Sequence, residues 1–331
     1  MACPTAKVVV VTGASAGVGR ATAVAFARCG ATVALLARST DGLQGVAREI
    51  QALGGTALIL PTDVADPAQV EQAAERAEKE LGPIDVWVNN AMVTVFSRVM
   101  DMTDDDYKRV TEVTYLGTVH GTRAALRRMR ARNRGTIIQV GSALAYRGIP
   151  IQSAYCAAKF AGRGFTDSLR AELIYEKSDI HITMVHLAAF NTPQFEWARH
   201  RLNARPMPLP PIFQPELAAR AIVWSASHRR REIYVGLPAL KTIIANKIFP
   251  GLSDYLAARQ AVSGQMDHNA PPPDPDRKDN LYQPVPGDFG AHGRFDAMAR
   301  DASWHLFITL HRHKIALLIL VIVVILLGMS W

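Results

Sequence analysis

Between Lys7 and Arg20 the chain reads KVVVVTGASAGVGR. A run of β-branched apolar residues suits a strand buried on both faces of a parallel sheet, and the glycines after it mark a sharp turn into a helix. The pairing recurs. TVALLAR, TALILPTD, IDVWVNNA, GTIIQVGS and IHITMVHLAAF read as further strands. Between them lie helical stretches: one from about Gly17 to Cys29, then TDGLQGVAREIQALG, PAQVEQAAERAEKELG, the long DDDYKRVTEVTYLGTVHGTRAALRRMRA and SAYCAAKFAGRGFTDSLRAELI. Strands separated by helices imply right-handed crossovers, so the fold class is α/β with a doubly wound parallel sheet.

After Phe190 the rhythm changes. NTPQFEWARHRLNARPMPLPPIFQ is rich in proline and aromatics and lies where a lid over a site would form. PELAARAIVWSASH restores a helix and REIYVG a last strand, so the first unit spans residues 1–237. Residues 238–264 read as a helical extension. Residues 265–307, dense in Pro, Asp and Gly, read as an extended linker. The final stretch, 308–331, carries the uncharged run IALLILVIVVILLGMSW. No internal repeat is present. The 331 residues, 49% of them hydrophobic, suffice for a large core.

The glycine turn carries the first chemistry. Gly13, Ser15, Ala16, Gly17, Val18 and Gly19 line a strand-to-helix junction, where backbone approaches a pyrophosphate and the helix N-terminus supplies N–H groups and a favourable dipole. The second strand ends in Arg38, where a carboxylate would bind the ribose hydroxyls of NAD. A guanidinium there favours NADP(H) instead. Arg20 is either a second member of that phosphate pocket or an exposed helix residue. Asp63, with Val64 beside it, either accepts from an adenine amino group or caps the following helix. Asn89 and Asn90 close the fourth strand and can tie neighbouring strand ends together beneath the cofactor.

GSALAYRGIPIQSAYCAAK is the most specific segment. Ser142 stands just past the fifth strand, and Tyr155 and Lys159 sit four apart on one helix face. A phenol titrates near ~10, and a fixed ammonium nearby lowers that value toward a useful range. Ser142 would hold a substrate oxygen, Tyr155 would protonate it as hydride arrives at carbon, and Lys159 would also hold the nicotinamide ribose.

With TGASAGVG, NNA and the Ser142, Tyr155, Lys159 set, the chain resembles the short-chain dehydrogenase/reductase family of about 250 residues, over roughly Ala6 to Gly236. The resemblance implies a seven-stranded Rossmann sheet and a homo-oligomer, dimer or tetramer, built on the long fourth and fifth helices. Three positions depart from the family pattern. Thr114 stands where the family has Asn steadying a water that leads to the lysine, which implies an altered relay. Met92 replaces a glycine and narrows the pocket floor. LAAFNTP lacks the usual Pro-Gly pair, with Thr192 still expected near the nicotinamide carboxamide.

The net charge of +8 is concentrated in part in RRMRARNRG and HRRRE. Both lie where a helix ends before a strand, so they complement the helix dipole. Anionic lipid is the other reading, and no nucleic-acid-binding pattern accompanies them, so no nucleic-acid partner is expected. Cys3, Cys29 and Cys156 have no metal-ligand spacing and suggest no disulfide framework, which fits a reducing compartment. The histidines read as structural, and no metal is expected. No secretory signal is read at the N-terminus. Ile315 to Trp331 would make a helix about 25 Å long, at the short end of a bilayer span. With Arg312, His313 and Lys314 before it and Trp331 as an interfacial anchor, it reads as a single-pass anchor with a cytoplasmic catalytic unit. The expected function is a membrane-tethered, NADP(H)-dependent oxidoreductase acting on a lipophilic carbonyl or alcohol. The alternative is a cofactor-binding regulatory protein of little turnover on the same fold.

Overall fold

The computed structural model describes residues 3–328 other than 273 and 275. Its centre is a sheet of seven parallel strands: β1 (Val8–Thr12), β2 (Thr32–Ala37), β3 (Ala57–Pro61), β4 (Val86–Asn89), β5 (Gly135–Ser142), β6 (Ile180–Leu187) and β7 (Glu232–Val235). Their order across the sheet is β7-β6-β5-β4-β1-β2-β3. The direction of winding reverses between β1 and β4, and a crevice opens there at the carboxyl ends of the strands.

Helices cover both faces: α1 (Gly17–Arg28), α2 (Thr40–Ala52), α3 (Pro67–Leu81), α4 (Asp104–Val110), α5 (Gly117–Arg130), α6 (Ser153–Tyr175) and α7 (Pro215–Ser225). Local chemistry sets several starts. Ser39, Asp66 and Thr103 each accept a backbone N–H in the first turn of the helix that follows them, and Pro67 opens α3 where a missing N–H costs nothing. One core lies on each side of the sheet. Val9, Val11, Leu35 and Ile138 face α1, α2 and α7, while Val10, Leu36, Trp87 and Ile137 face α3, α5 and α6. The alternation is the two-residue period of a strand, here with both faces buried.

The segment after β6 is built from two-residue strands. Ala189–Phe190 pairs with Ile212–Phe213, which pairs with Ala299–Arg300, and Arg199–His200 pairs with Val95–Phe96. Phe96, Phe195, Ile212 and Phe295 form a small apolar core of their own. The extension after β7 is helical as expected, as α8 (Leu237–Ile248) and α9 (Pro250–Gln260).

Three expectations are corrected. Residues 265–307 contain almost no regular structure, but they do not hang free: Leu281 and Phe295 are buried, and the segment folds back across the sheet's carboxyl edge. Hydropathy cannot reveal this, because the contacts are mostly made by backbone and charged groups. The C-terminal helix α10 (Trp304–Gly328) does not stand apart either, since Leu306 is buried and Leu310 packs against the core beside α7 and β7. Among the described residues no helix is long and apolar enough to cross a membrane, and Trp331, expected as an interfacial anchor, lies outside the described residues. Finally, Cys3 and Cys29 form a disulfide, while Cys156 is free and buried. The β1–α1 unit brings together two cysteines that lie 26 residues apart in sequence.

The arginine-rich end of α5 is ion-paired: Arg127 and Arg128 with Glu71, Arg130 with Glu176.

Candidate active site

A single elongated cavity runs along the carboxyl edge of the sheet, from Arg38 and Asp63 at one end to Ser142, Tyr155 and Thr192 at the other. The turn after β1 forms its middle. Gly17 has φ +57°, and a Cβ there would lie 3.2 Å from the Thr192 side chain, so only glycine suits both the left-handed backbone and the close approach. The Asn90 amide donates to Thr12 O (3.0 Å) and Gly13 O (3.2 Å), which fastens the β4 end to the turn. Asn89 is buried and bonds Trp87, Thr122 and Gln139, linking β4 to α5 and β5. Both asparagines act as expected.

At the other end, Tyr155 and Lys159 project from α6, with Lys159 Nζ 5.5 Å from the Tyr155 ring centre. Lys159 is buried and donates to Val140 O at 2.7 Å. Burial pulls its ammonium down to about 8. Burial likewise pushes the Tyr155 phenol above its usual value, with a hydrogen bond from Ser142 pulling the other way. The expected lowering of the phenol is therefore corrected: burial outweighs it, since removing the phenolate from water penalises the charged form. Protonated Tyr155 beside Ser142 is an acid ready to donate. Ser142 Oγ also accepts from Leu144 N (3.1 Å), which fixes its rotamer.

Thr114 sits in a π-helical turn, Thr111–Leu116, and is buried. Its hydroxyl donates to Val93 O (2.9 Å) and accepts from Val93 N (3.1 Å), so it pins the loop after β4 and has no proton left to donate into a relay. Met92 lines the cavity. Asn191 occupies the turn that lacks Pro-Gly. Its amide donates to Gln214 (3.0 Å) and Asp296 (2.8 Å), and its carbonyl oxygen accepts from Phe295 N (3.0 Å).

The adenosine end differs from expectation. Arg38 does not present a free fork: Nη1 donates to Tyr282 O (2.8 Å) and Leu281 O (3.3 Å), and Nη2 to Asn280 O (2.5 Å). Asp63 accepts from Ala65 N (3.0 Å) and pairs with Arg109 (2.5 Å), while the cap of α3 is Asp66. Arg20 is neither exposed nor in a phosphate pocket, since it is buried between Glu49 and Asp288. Residues Ser15, Ala16, Val18, Val64 and Asn90 line the cavity.

Sequence reasoning missed a network behind Ser142. His186 is fully buried on β6, with Nδ1 3.2 Å from Ser142 O. Burial lowers its pKa to about 4, so the ring is neutral near pH 7 and its proton lies on Nδ1, facing an oxygen that can only accept. Beyond it, Tyr146 (2.5 Å) and Tyr234 (2.6 Å) both donate to Glu232. These residues come from β5–α6, β6 and β7, and no local spacing announces them.

A glycine turn at a helix N-terminus, a basic group at the end of β2, and a Ser–Tyr–Lys set at the far end of one cleft fit a nicotinamide dinucleotide laid along the strand ends. This chain belongs to the short-chain dehydrogenase family. The family's sequence profile, described as "short chain dehydrogenase", matches residues 7–202. The chain is 37% identical over 278 residues to the uncharacterized oxidoreductase YxnA of Bacillus subtilis, covering 83% of this chain and 78% of that one. Its fold resembles an alcohol dehydrogenase from Thermococcus sibiricus complexed with 5-hydroxy-NADP, with TM-score 0.60, 27% identity and 69% and 95% of the two chains covered. It also resembles a short chain dehydrogenase/reductase from Burkholderia phymatum in complex with NAD, with TM-score 0.69, 23% identity and 76% and 96% covered.

Proposed function

We propose that this chain transfers hydride between NADP(H) and a carbonyl or alcohol carbon of a lipophilic substrate, with Tyr155 as the acid or base. The observation that carries the reading is the convergence of Ser142, Tyr155 and Lys159 on the same cavity as the glycine turn. A bound nicotinamide dinucleotide supplies or takes up the hydride. Ser142 orients the substrate oxygen, Tyr155 gives that oxygen its proton, and the Lys159 charge stabilises the phenolate left behind. Preference for the phosphorylated cofactor is supported by the Arg38 charge at the end of β2, where a carboxylate for ribose hydroxyls is missing. Lipophilic substrates are supported by the walls at the reactive end, where Phe190, Phe195, Trp197 and Leu209 face the cavity.

NADPH oxidation by the purified full chain against a panel of long-chain ketones and aldehydes, compared with Tyr155→Phe, tests the reading. Equal rates in the two would overturn it. The regulatory alternative is supported by Thr114, whose hydroxyl is committed to Val93, and it predicts NADPH binding with no turnover in either protein.

Two further parts of the reading rest on sequence. Bilayer attachment is supported by the uncharged run from Ile315 to Trp331, and sedimentation of the full chain with vesicles, against the chain ended at residue 307, tests it. Self-assembly is supported by family membership and by exposed Leu116 and Phe160 beside and on the long helices; light scattering after size exclusion decides it.

A further inference from the structure

The adenosine end of the cleft is closed on its outer side by a strap, residues 279–290, that contains no helix or strand. It touches the groups expected to receive the dinucleotide. The guanidinium of Arg38 donates to the carbonyls of Asn280, Leu281 and Tyr282. Arg109, which pairs with Asp63, donates to Leu281 O at 3.1 Å. Gly17 N, at the start of α1, donates to Gly290 O at 3.2 Å. Two more fastenings lie between: Asp41 accepts from Gly287 N (2.9 Å), and Asp288 pairs with buried Arg20.

The strap lines the cavity. Asn280, Pro284, Val285, Gly287 and Phe289 line the same cavity as Gly13, Ser15 and Arg38. A dinucleotide laid along the strand ends would therefore be enclosed, and could enter or leave its adenosine half only if this wall moved. The attachments are suited to that. One apolar anchor, Leu281, is fully buried, whereas Tyr282 and Phe289 are partly exposed, Phe289 against Trp197 and Tyr282 under Arg199, and most of the other ties are polar bonds. Segments with few buried apolar contacts open at far lower free energy than a sheet core.

We propose that residues 279–290 are a hinged cover on the cofactor cleft, latched by Arg38 and by the Arg20–Asp288 pair, that opens to pass the dinucleotide and closes over it. The cover rests on the reading that a nicotinamide dinucleotide binds here. Arg38 then serves the cover through Nη1 and Nη2.

Two variants loosen the latch. Asp288→Asn weakens the pair with Arg20. Gly45→Ala acts without substituting either residue, because a Cβ at Gly45 would lie 2.0 Å from Asp288 Oδ2 and displace the carboxylate; alanine favours helix at that position, so α2 is not the casualty. The experiment is hydrogen exchange on the full chain, alone and with NADPH or NADH, together with the rate of NADPH release followed by its fluorescence. The expected result is slower exchange across 279–290 when NADPH binds, faster exchange there in both variants without nucleotide, and NADPH release accelerated about tenfold by each, the scale of one lost charge-assisted bond. Faster exchange in the strap on NADPH binding would mean that the strap is displaced rather than closed, and overturns the proposal. So does unchanged release in both variants. If neither dinucleotide binds wild type or variants, the cover and the functional reading fall together; if binding occurs with an indifferent strap, only the cover falls.

Discussion

The two walls of the cleft are made of different kinds of chain. The inner wall is the carboxyl edge of a seven-stranded sheet, whose strands β1, β2 and β4 are buried on both faces and whose end residues are tied by the Asn89 and Asn90 amides. The outer wall is the strap, held mainly by polar bonds, among them three carbonyls on the Arg38 guanidinium and ion pairs at Arg20 and Arg199, with one fully buried leucine. The inner wall keeps its geometry because moving it would break the core. The outer wall has geometry only while its latches hold. Chemistry that needs fixed distances therefore belongs on the inner wall, and passage belongs on the outer.

The comparison breaks most sharply at Tyr155. Tyr155→Phe is expected to lower turnover by about 10²–10⁴-fold while thermal unfolding and NADPH affinity stay near wild type. Turnover assays beside calorimetry check this. The acidity of the same wall gives the next largest effect. Lys159, with its pKa lowered to about 8, is an ammonium below that pH and loses its charge above it. The rate of carbonyl reduction is therefore expected to hold on the acid side and to fall about tenfold per unit once pH rises well past that value, a profile read from kcat/KM. Stability separates the walls in a third way. Leu35 and Leu281 are both fully buried. Leu35→Ala is expected to cost about 2–5 kcal/mol in urea unfolding. Leu281→Ala is expected to cost less, because the strap can release locally and its opening free energy caps the loss. Equal costs would show that the two walls unfold as one. The smallest effect belongs to Asp288→Asn, whose cost in global stability is expected to fall below that of Leu281→Ala, because Arg20 keeps Glu49 and the strap can release locally.

The same division explains what could be read from sequence. All seven strands, the glycine turn and the Ser142–Tyr155–Lys159 set are legible because they arise from short-range periodicity: valines with nothing polar between them, or two side chains four apart on one helix. Arg38 was legible as a charge but not as a latch, since its partners lie 242 to 244 residues away and are backbone carbonyls that every residue type possesses. Arg20 failed for a related reason. An arginine in a helix reads as solvated unless the carboxylates that bury it are known, and Asp288 comes from a segment whose composition argues for disorder. His186 shows the converse. Its position on β6 was plain, but its role behind Ser142 depends on Tyr146, from the turn after β5, meeting Glu232 and Tyr234 of β7.

The location of the strap within the chain has a consequence for biosynthesis. β7 ends at Val235, so every strand of the sheet is synthesised before residue 279. Domains fold as they emerge, N-terminal part first. The nascent protein thus passes through a stage in which the sheet can form while the cleft has no roof. A dinucleotide can be taken up then without any opening step, and the chain would be wrapped around its cofactor as translation finishes.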